Sequence, residues 1–289
     1  MNWTLLIFLC LCALTSVAIG QSVKTIFLFK DVLQSNTTAL KTSGFNTLVI
    51  FRIGVLESGD LVYYSTGDAG GAVDAPVVTN GSYVGGSDLT NKIRDFKSGA
   101  TAVDQVEVSL VSQDTTFENI RDLIAADGTG ADTVLYRNFE VLKNAWSLDG
   151  FDNDDEGVYD ESSTVAFASM LAAMGYKYTI APYTNDDFWA TVGAQVDFDR
   201  VYLQCYDGGA GNDPGTWQET LGMKVVPLVW VINDAKPSQG NTAAQAETKF
   251  ADWYAQDQVA GGGYWNDYDI EKMNSSYAAY GSALASVFP

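Results

Sequence analysis

Short runs of β-branched and aromatic residues alternate along the chain with stretches whose apolar positions recur at helical spacing, the pattern of parallel strands joined by helices. Strands are expected at 24–29, 47–51, 105–111, 148–154, 177–181, 200–204, 224–231 and 262–265. Helices are expected at 116–126, 131–146, 163–174, 186–192, 243–256 and 269–284. After the second strand, the run from Gly54 to Tyr63 reads as a β-hairpin insertion turning at Ser58-Gly59. No linker, low-complexity stretch or internal repeat interrupts this order. The pattern fits an α/β chain folded as a single-domain (β/α)8 TIM barrel, in which chemistry gathers at the C-terminal ends of the strands. A doubly wound sheet shares the alternation but gives no reason for those ends to meet.

Residues 1–20 carry an apolar stretch from Leu5 to Leu14 and small residues at Ala18-Ile19-Gly20. They read as a secretory signal peptide cut before Gln21, so residues 21–289 are expected outside the cell, with no membrane span. Cys10 and Cys12 fall in the leader, and Cys205 alone cannot form an intramolecular disulfide. Stability then rests on the core of one domain. Cys205 lies in an apolar strand and reads as a buried, inert thiol. The chain has no histidine, which removes Ser-His-Asp and Cys-His chemistry and makes a zinc site a poor fit. The net charge of −20 argues against nucleic acid or an anionic membrane as partner. It suits a neutral or cationic sugar polymer, although solubility alone also accounts for it. Three sequons, at Asn36, Asn80 and Asn274, are glycan acceptors on surface loops if the source is eukaryotic and carry no meaning in a bacterium. No cofactor and no metal is expected, and the chain is expected to be a monomer.

The densest chemistry is the run Leu148-Asp149-Gly150-Phe151-Asp152-Asn153-Asp154-Asp155-Glu156. Residues two apart on a strand share a face at roughly 6.5 to 7 Å, so Asp152, Asp154 and Glu156 are expected to form one row of carboxyls. Like charges in a row resist ionising together, and a protonated carboxyl beside ionised ones is what acid-catalysed cleavage of a glycosidic bond requires. A solvated acidic loop, binding Ca²⁺ through its oxygens, is the plain alternative.

The run from Asp149 to Glu156 resembles the DGxDxDxE signature of glycoside hydrolase family 18, the chitinases and endo-β-N-acetylglucosaminidases, at every fixed position. Tyr202-Leu203-Gln204-Cys205-Tyr206-Asp207 is similar to the later family strand that ends in Tyr-Asp. Gly263-Tyr264-Trp265 falls where the family keeps a strand ending in Trp. The resemblance implies a barrel and a retaining, substrate-assisted glycosidase acting on β-linked N-acetylhexosamine chains, in which the substrate's own 2-acetamido group is the nucleophile. It makes Glu156 the general acid, with neighbouring Asp154 as the natural source of its raised pKa. It gives Asp154 the task of orienting the acetamide and Asp152 that of holding Asp154 through a shared proton.

By the same resemblance Tyr206 donates to the acetamide oxygen, Asp207 bonds sugar hydroxyls and Trp265 forms the floor under the sugar. Gln204 and Tyr183 are further candidates for lining the pocket. The Gly-rich run 207–217 suits a flap beside the site, with Trp217 stacking on a further sugar. Asp149 reads as a structural residue of the barrel interior. Two departures stand out: Ser109-Leu110-Val111-Ser112 replaces the family's SxGG, and Asn153 and Asp155 are polar where a barrel strand should face its helices. The competing reading is a non-catalytic, lectin-like sugar-binding protein of the same fold.

Overall fold

The structure is a computed structural model that describes residues 21–66, 72–110 and 115–289. The leader expected at 1–20, and Val111 and Ser112 at the end of the third expected strand, lie outside the described residues.

The N-terminal part contains β1 (Val23–Leu28), α1 (Thr37–Thr42), β2 (Thr47–Val55), β3 (Leu61–Thr66), β4 (Ala72–Thr79), β5 (Ser82–Tyr83) and α2 (Ser87–Asp95). The middle runs through β6 (Gln105–Leu110), α3 (Thr116–Asp127), α4 (Val134–Trp146), β7 (Gly150–Asn153), α5 (Glu161–Ala173), β8 (Lys177–Ile180) and α6 (Asp186–Gly193). Then follow β9 (Arg200–Gln204), α7 (Pro214–Leu221), β10 (Val226–Trp230), α8 (Ala243–Asp257), β11 (Gly261–Trp265), α9 (Asp267–Lys272) and α10 (Tyr277–Val287).

Eight parallel strands close on themselves in the order β1-β2-β6-β7-β8-β9-β10-β11, with β11 paired back to β1. This is the (β/α)8 barrel expected from the alternation. Strands covered by helices outside and by side chains inside are buried on both faces. Accordingly β1, β6 and β7 are buried at every residue, polar ones included. Inside the ring, Gly263 leaves room that a Cβ would fill against Thr25 and Leu228.

The insertion after the second strand is larger than the expected hairpin. β2 runs on past the ring to pair antiparallel with β3, Val55 against Leu61, and β4 and β5 extend the same meander. Asn138, buried on α4, ties two of its turns by donating to Gly59 O at 2.6 Å and accepting from Gly81 N at 2.7 Å. Trp146 Nε1 donates to the Tyr83 hydroxyl at 2.9 Å, which anchors the meander to the barrel wall.

Most expected helices appear at or close to their expected bounds. The long helix expected at 269–284 is two, α9 and α10. Asn274 takes a positive φ of 52° and Ser276 caps α10 by accepting from Ala279 N, so the chain turns where unbroken spacing suggested continuation. α1, α2 and α7 were not anticipated. No helix of the described residues is long and apolar enough to cross a membrane.

Candidate active site

β7 sets the site by its alternation. Phe151 points outward to pack on Phe139 and Tyr176, with ring centroids 4.8 and 4.6 Å away. Asp152 therefore faces the interior. The strand ends at Asn153, so Asp154 and Glu156 follow it instead of lying along it. Asp152 is fully buried beneath the cavity and does not line it, whereas Asp154 and Glu156 do. Glu156 reaches the mouth on a turn instead. Asp155 makes that turn: its Oδ1 accepts from Gly157 N at 2.9 Å and Val158 N at 2.8 Å, and its Oδ2 from Tyr159 N at 2.8 Å. Asn153 Oδ1 accepts from Asp155 N at 2.8 Å while its Nδ2 donates to the Tyr178 hydroxyl at 2.7 Å. The two polar residues on the wrong face of the strand are thus the fastening of the turn that carries Glu156.

The cavity, about 360 Å³, opens at the C-terminal ends of the strands. Its acidic wall is Asp154 and Glu156, joined by Gln204 from β9. Gln204 Nε2 lies 3.0 Å from Asp154 Oδ1, 3.1 Å from Glu156 Oε1 and 2.8 Å from Ala181 O. Burial raises the pKa of Glu156 above the ordinary glutamate value. The hydrogen bonds from Gln204 and with Asp154 oppose that rise, and the charges of Asp207 and Asp155 add to it. Asp154 is therefore not the source of the rise, contrary to the expectation from the row: a hydrogen-bonded neighbour favours the charged form, and desolvation supplies the shift.

Asp152 is raised to about 8, by burial first and then by the charge of Glu107, against its hydrogen bonds with Ser109 and Thr179. Its Oδ2 has no hydrogen-bond partner. Asp149 does not reach the barrel interior. It sits at the edge of the ring, accepting from Val106 N at 2.8 Å and from Lys97 at 2.6 Å.

The opposite wall is aromatic. Trp265, at the end of β11, stacks on Tyr206 with an interplanar angle of 14° and meets Phe51 edge-on at 4.7 Å. Phe27, Phe51, Leu228 and Trp230 complete the lining, together with Tyr183 and Asp207. Trp230 is held by its indole N–H, which donates to Asp269 Oδ2 at 2.7 Å. Phe27, Phe51 and Trp230 were not singled out in the sequence, because apolar residues at strand ends look the same whether they face the mouth or the helices. Asp207 is paired with Lys236 across the mouth.

The Gly-rich run is fastened, not a free flap. Asn212 Nδ2 donates to Tyr183 O at 2.9 Å and Gln204 O at 2.8 Å, and Asp213 caps α7 with Pro214 in its first turn. Trp217 lies on that helix, buried, and is not among the residues lining the cavity. Its apolar ring joins the core because the run ends in a helix and not in an open loop. Burial pushes the Cys205 thiol up to about 12, consistent with an inert side chain. Among the described residues, no group of three or more His, Cys, Asp or Glu side chains is placed to hold a metal ion.

No protein-family model and no curated protein matches the chain. Solved structures do. The catalytic domain of a family GH18 chitinase from the fern Peteris ryukyuensis superposes with a TM-score of 0.61 at 18% identity, covering 92% of this chain and 98% of that one. A chitinase from Bacteroides thetaiotaomicron gives 0.63 at 15% identity, covering 91% and 96%. A fungal endo-β-N-acetylglucosaminidase of glycosyl hydrolase family 18 gives 0.63 at 12% identity, covering 91% and 98%. At such identities the likeness is one of fold. That fold is the one the resemblance of the acidic run implied.

Proposed function

We propose that the chain is a secreted glycoside hydrolase of the family 18 type, cleaving β-linked N-acetylhexosamine oligosaccharides with retention of configuration. The observation that carries this reading is the convergence of Asp154, Glu156, Gln204, Tyr206 and Trp265, from three strand ends, on one cavity. An acidic wall facing an aromatic one suits a sugar, whose hydroxyls need polar partners and whose ring face packs on indole.

In this mechanism Glu156, whose pKa burial raises, gives its proton to the glycosidic oxygen as the bond from C1 to that oxygen breaks. The substrate's acetamido oxygen forms the new bond to C1, and an oxazolinium ion results. Asp154 orients the acetamide N–H and offsets the positive charge, and the Tyr206 hydroxyl donates to the acetamide oxygen. Water then adds to C1 and loses a proton to Glu156, the ring of the oxazolinium opens, and the acid is restored. Two inversions at C1 leave the configuration unchanged. Trp265 is the floor, and Asp207 and Tyr183 stand at the rim for hydroxyl contacts.

The test is product analysis by mass spectrometry after incubating the purified chain, and its Glu156→Gln variant, with soluble N-acetylglucosamine oligomers near pH 5. Shortened oligomers from the parent alone are expected. Intact oligomers with saturable binding would place the chain with sugar-binding proteins of the same fold. The absence of both cleavage and binding would rule out this class of oligosaccharide as the substrate.

A further inference from the structure

Beneath the cavity the barrel holds a charge that the proposed reaction does not use. Glu107, on β6, is fully buried. Its Oε1 accepts from the Tyr202 hydroxyl at 2.8 Å and from Gln105 Nε2, and its Oε2 accepts from the Thr179 hydroxyl at 2.7 Å. Arg200 Nη1 lies 3.5 Å from Oε1. Burial raises the pKa of Glu107, and the charge of Arg200 and the hydrogen bonds from Thr179, Tyr202 and Gln105 oppose that rise. Three donors and a guanidinium around one carboxyl favour the ionised form, which has only acceptors to offer.

Asp152, on the adjacent strand, has the opposite surroundings. It is equally buried, and its Oδ2 has no hydrogen-bond partner. Its Oδ1 lies 3.4 Å from Thr179 Oγ1. The single proton of Thr179 is engaged at the shorter distance by Glu107, so what the hydroxyl presents to Asp152 is a lone pair. Only a protonated carboxyl can use it. Two coupled carboxyls with one cation place the charge beside the cation and the proton on the other partner.

We propose that Glu107 is a positioning residue whose fixed charge, relayed by Thr179, keeps Asp152 a neutral acid beneath Asp154. The effect on turnover rests on the glycosidase reading above; the state of Asp152 does not. The groups acting on Asp152 are Glu107 and Ser109 from β6 and Thr179 from β8, and its charge in turn reaches Tyr178 and Tyr206. Those facing Glu107 are Gln105, Thr179, Tyr202 and Arg200, with Asp199 behind Arg200 and Lys177 behind Gln105. Burial and the charge of Glu107 both push Asp152 up, to about 8.

Infrared difference titration of the full chain tests this without any substrate. The band of a protonated buried carboxyl is assigned to Asp152 by its loss in Asp152→Asn and followed with pH. A midpoint near pH 8 is expected in the parent, falling by roughly one unit or more in Glu107→Gln, which removes the like charge and leaves Arg200 with Asp199 as its acidic partner. Tyr202→Phe, which withdraws one donor from Glu107, is expected to move the midpoint the same way by less. Should Glu107→Gln fail to fold, Tyr202→Phe decides. A parent midpoint in the ordinary carboxyl range, or a midpoint unmoved in the folded variants, overturns the proposal. A titration as expected with no cleavage of N-acetylglucosamine oligomers would sink the glycosidase reading and leave this one standing.

Discussion

Gln204 Nε2 lies 3.1 Å from Glu156 Oε1, and the same nitrogen lies 3.0 Å from Asp154 Oδ1 and 2.8 Å from Ala181 O. One amide group with two protons thus faces three acceptors, and it sets the separation of the two carboxyls on which the proposed reaction depends.

Gln204→Leu removes that tether while keeping the bulk of the side chain. Loss of a hydrogen bond to a charged group costs about 1.5 to 3 kcal/mol, which corresponds to a fall in kcat of about tenfold to a hundredfold. Steady-state kinetics on soluble N-acetylglucosamine oligomers would show it, with KM changed little because the aromatic wall is intact. A kcat equal to that of the parent would mean that the carboxyls hold their geometry without Gln204.

The field at Glu156 gives a pH prediction. The charge of Asp207 raises the pKa of Glu156, adding to the effect of burial. A general acid works only while protonated, so kcat/KM should fall on the alkaline side as Glu156 ionises. Asp207→Asn removes one source of the rise and is expected to move that alkaline limb to lower pH by a fraction of a unit. An unmoved limb would assign it to another group.

Much of this architecture is readable from the sequence. All eight ring strands fall within a few residues of their expected places, because short runs rich in β-branched and aromatic residues alternate with segments of helical spacing. The losses have specific causes. α7 hides in the Gly-rich stretch, where Asp213-Pro214 is a cap followed by a first-turn proline. The end of β7 was placed too late because Asn153 and Asp155 alternate with the acidic residues as a strand would. Their side chains instead bind the backbone of the turn. Glu107 sits unremarked in an apolar strand, since its importance lies in Arg200, Tyr202 and Thr179, which come from two other strands.

Trp230 yields a prediction of the same long-range kind. Its indole N–H donates to Asp269 Oδ2 at 2.7 Å, and Asn266 Nδ2 supports the same oxygen at 3.2 Å. Asp269→Ala leaves a buried donor without its acceptor and frees the ring that lines the cavity. KM for N-acetylglucosamine oligomers is expected to rise by about tenfold, with kcat held within about twofold. A loss confined to kcat would instead assign Trp230 to the reacting centre.

Stability should depend on pH through Asp267. This carboxyl is fully buried at the start of α9, where Oδ1 accepts from Phe29 N at 2.7 Å and Lys30 N at 3.0 Å while Oδ2 has no partner. Burial, with the charge of Glu271 adding to it, raises it from 3.8 to about 7 against the backbone N–H groups of Lys30, Phe29 and Tyr268. Below the unfolded value both states hold the proton and the contribution is whole. As pH rises from about 4 to about 7 the unfolded chain releases the proton and the folded chain keeps it, so stability falls by at most about 1.4 kcal/mol per unit from this group. Asp267→Asn retains the oxygen that accepts from Phe29 and Lys30 and has no proton to release. Its thermal midpoint should therefore decline less than that of the parent across this window, and the difference between the two curves cancels the general repulsion of a chain of charge −20. Parallel curves for the two proteins would show that Asp267 is ionised in the folded state at every pH of the window.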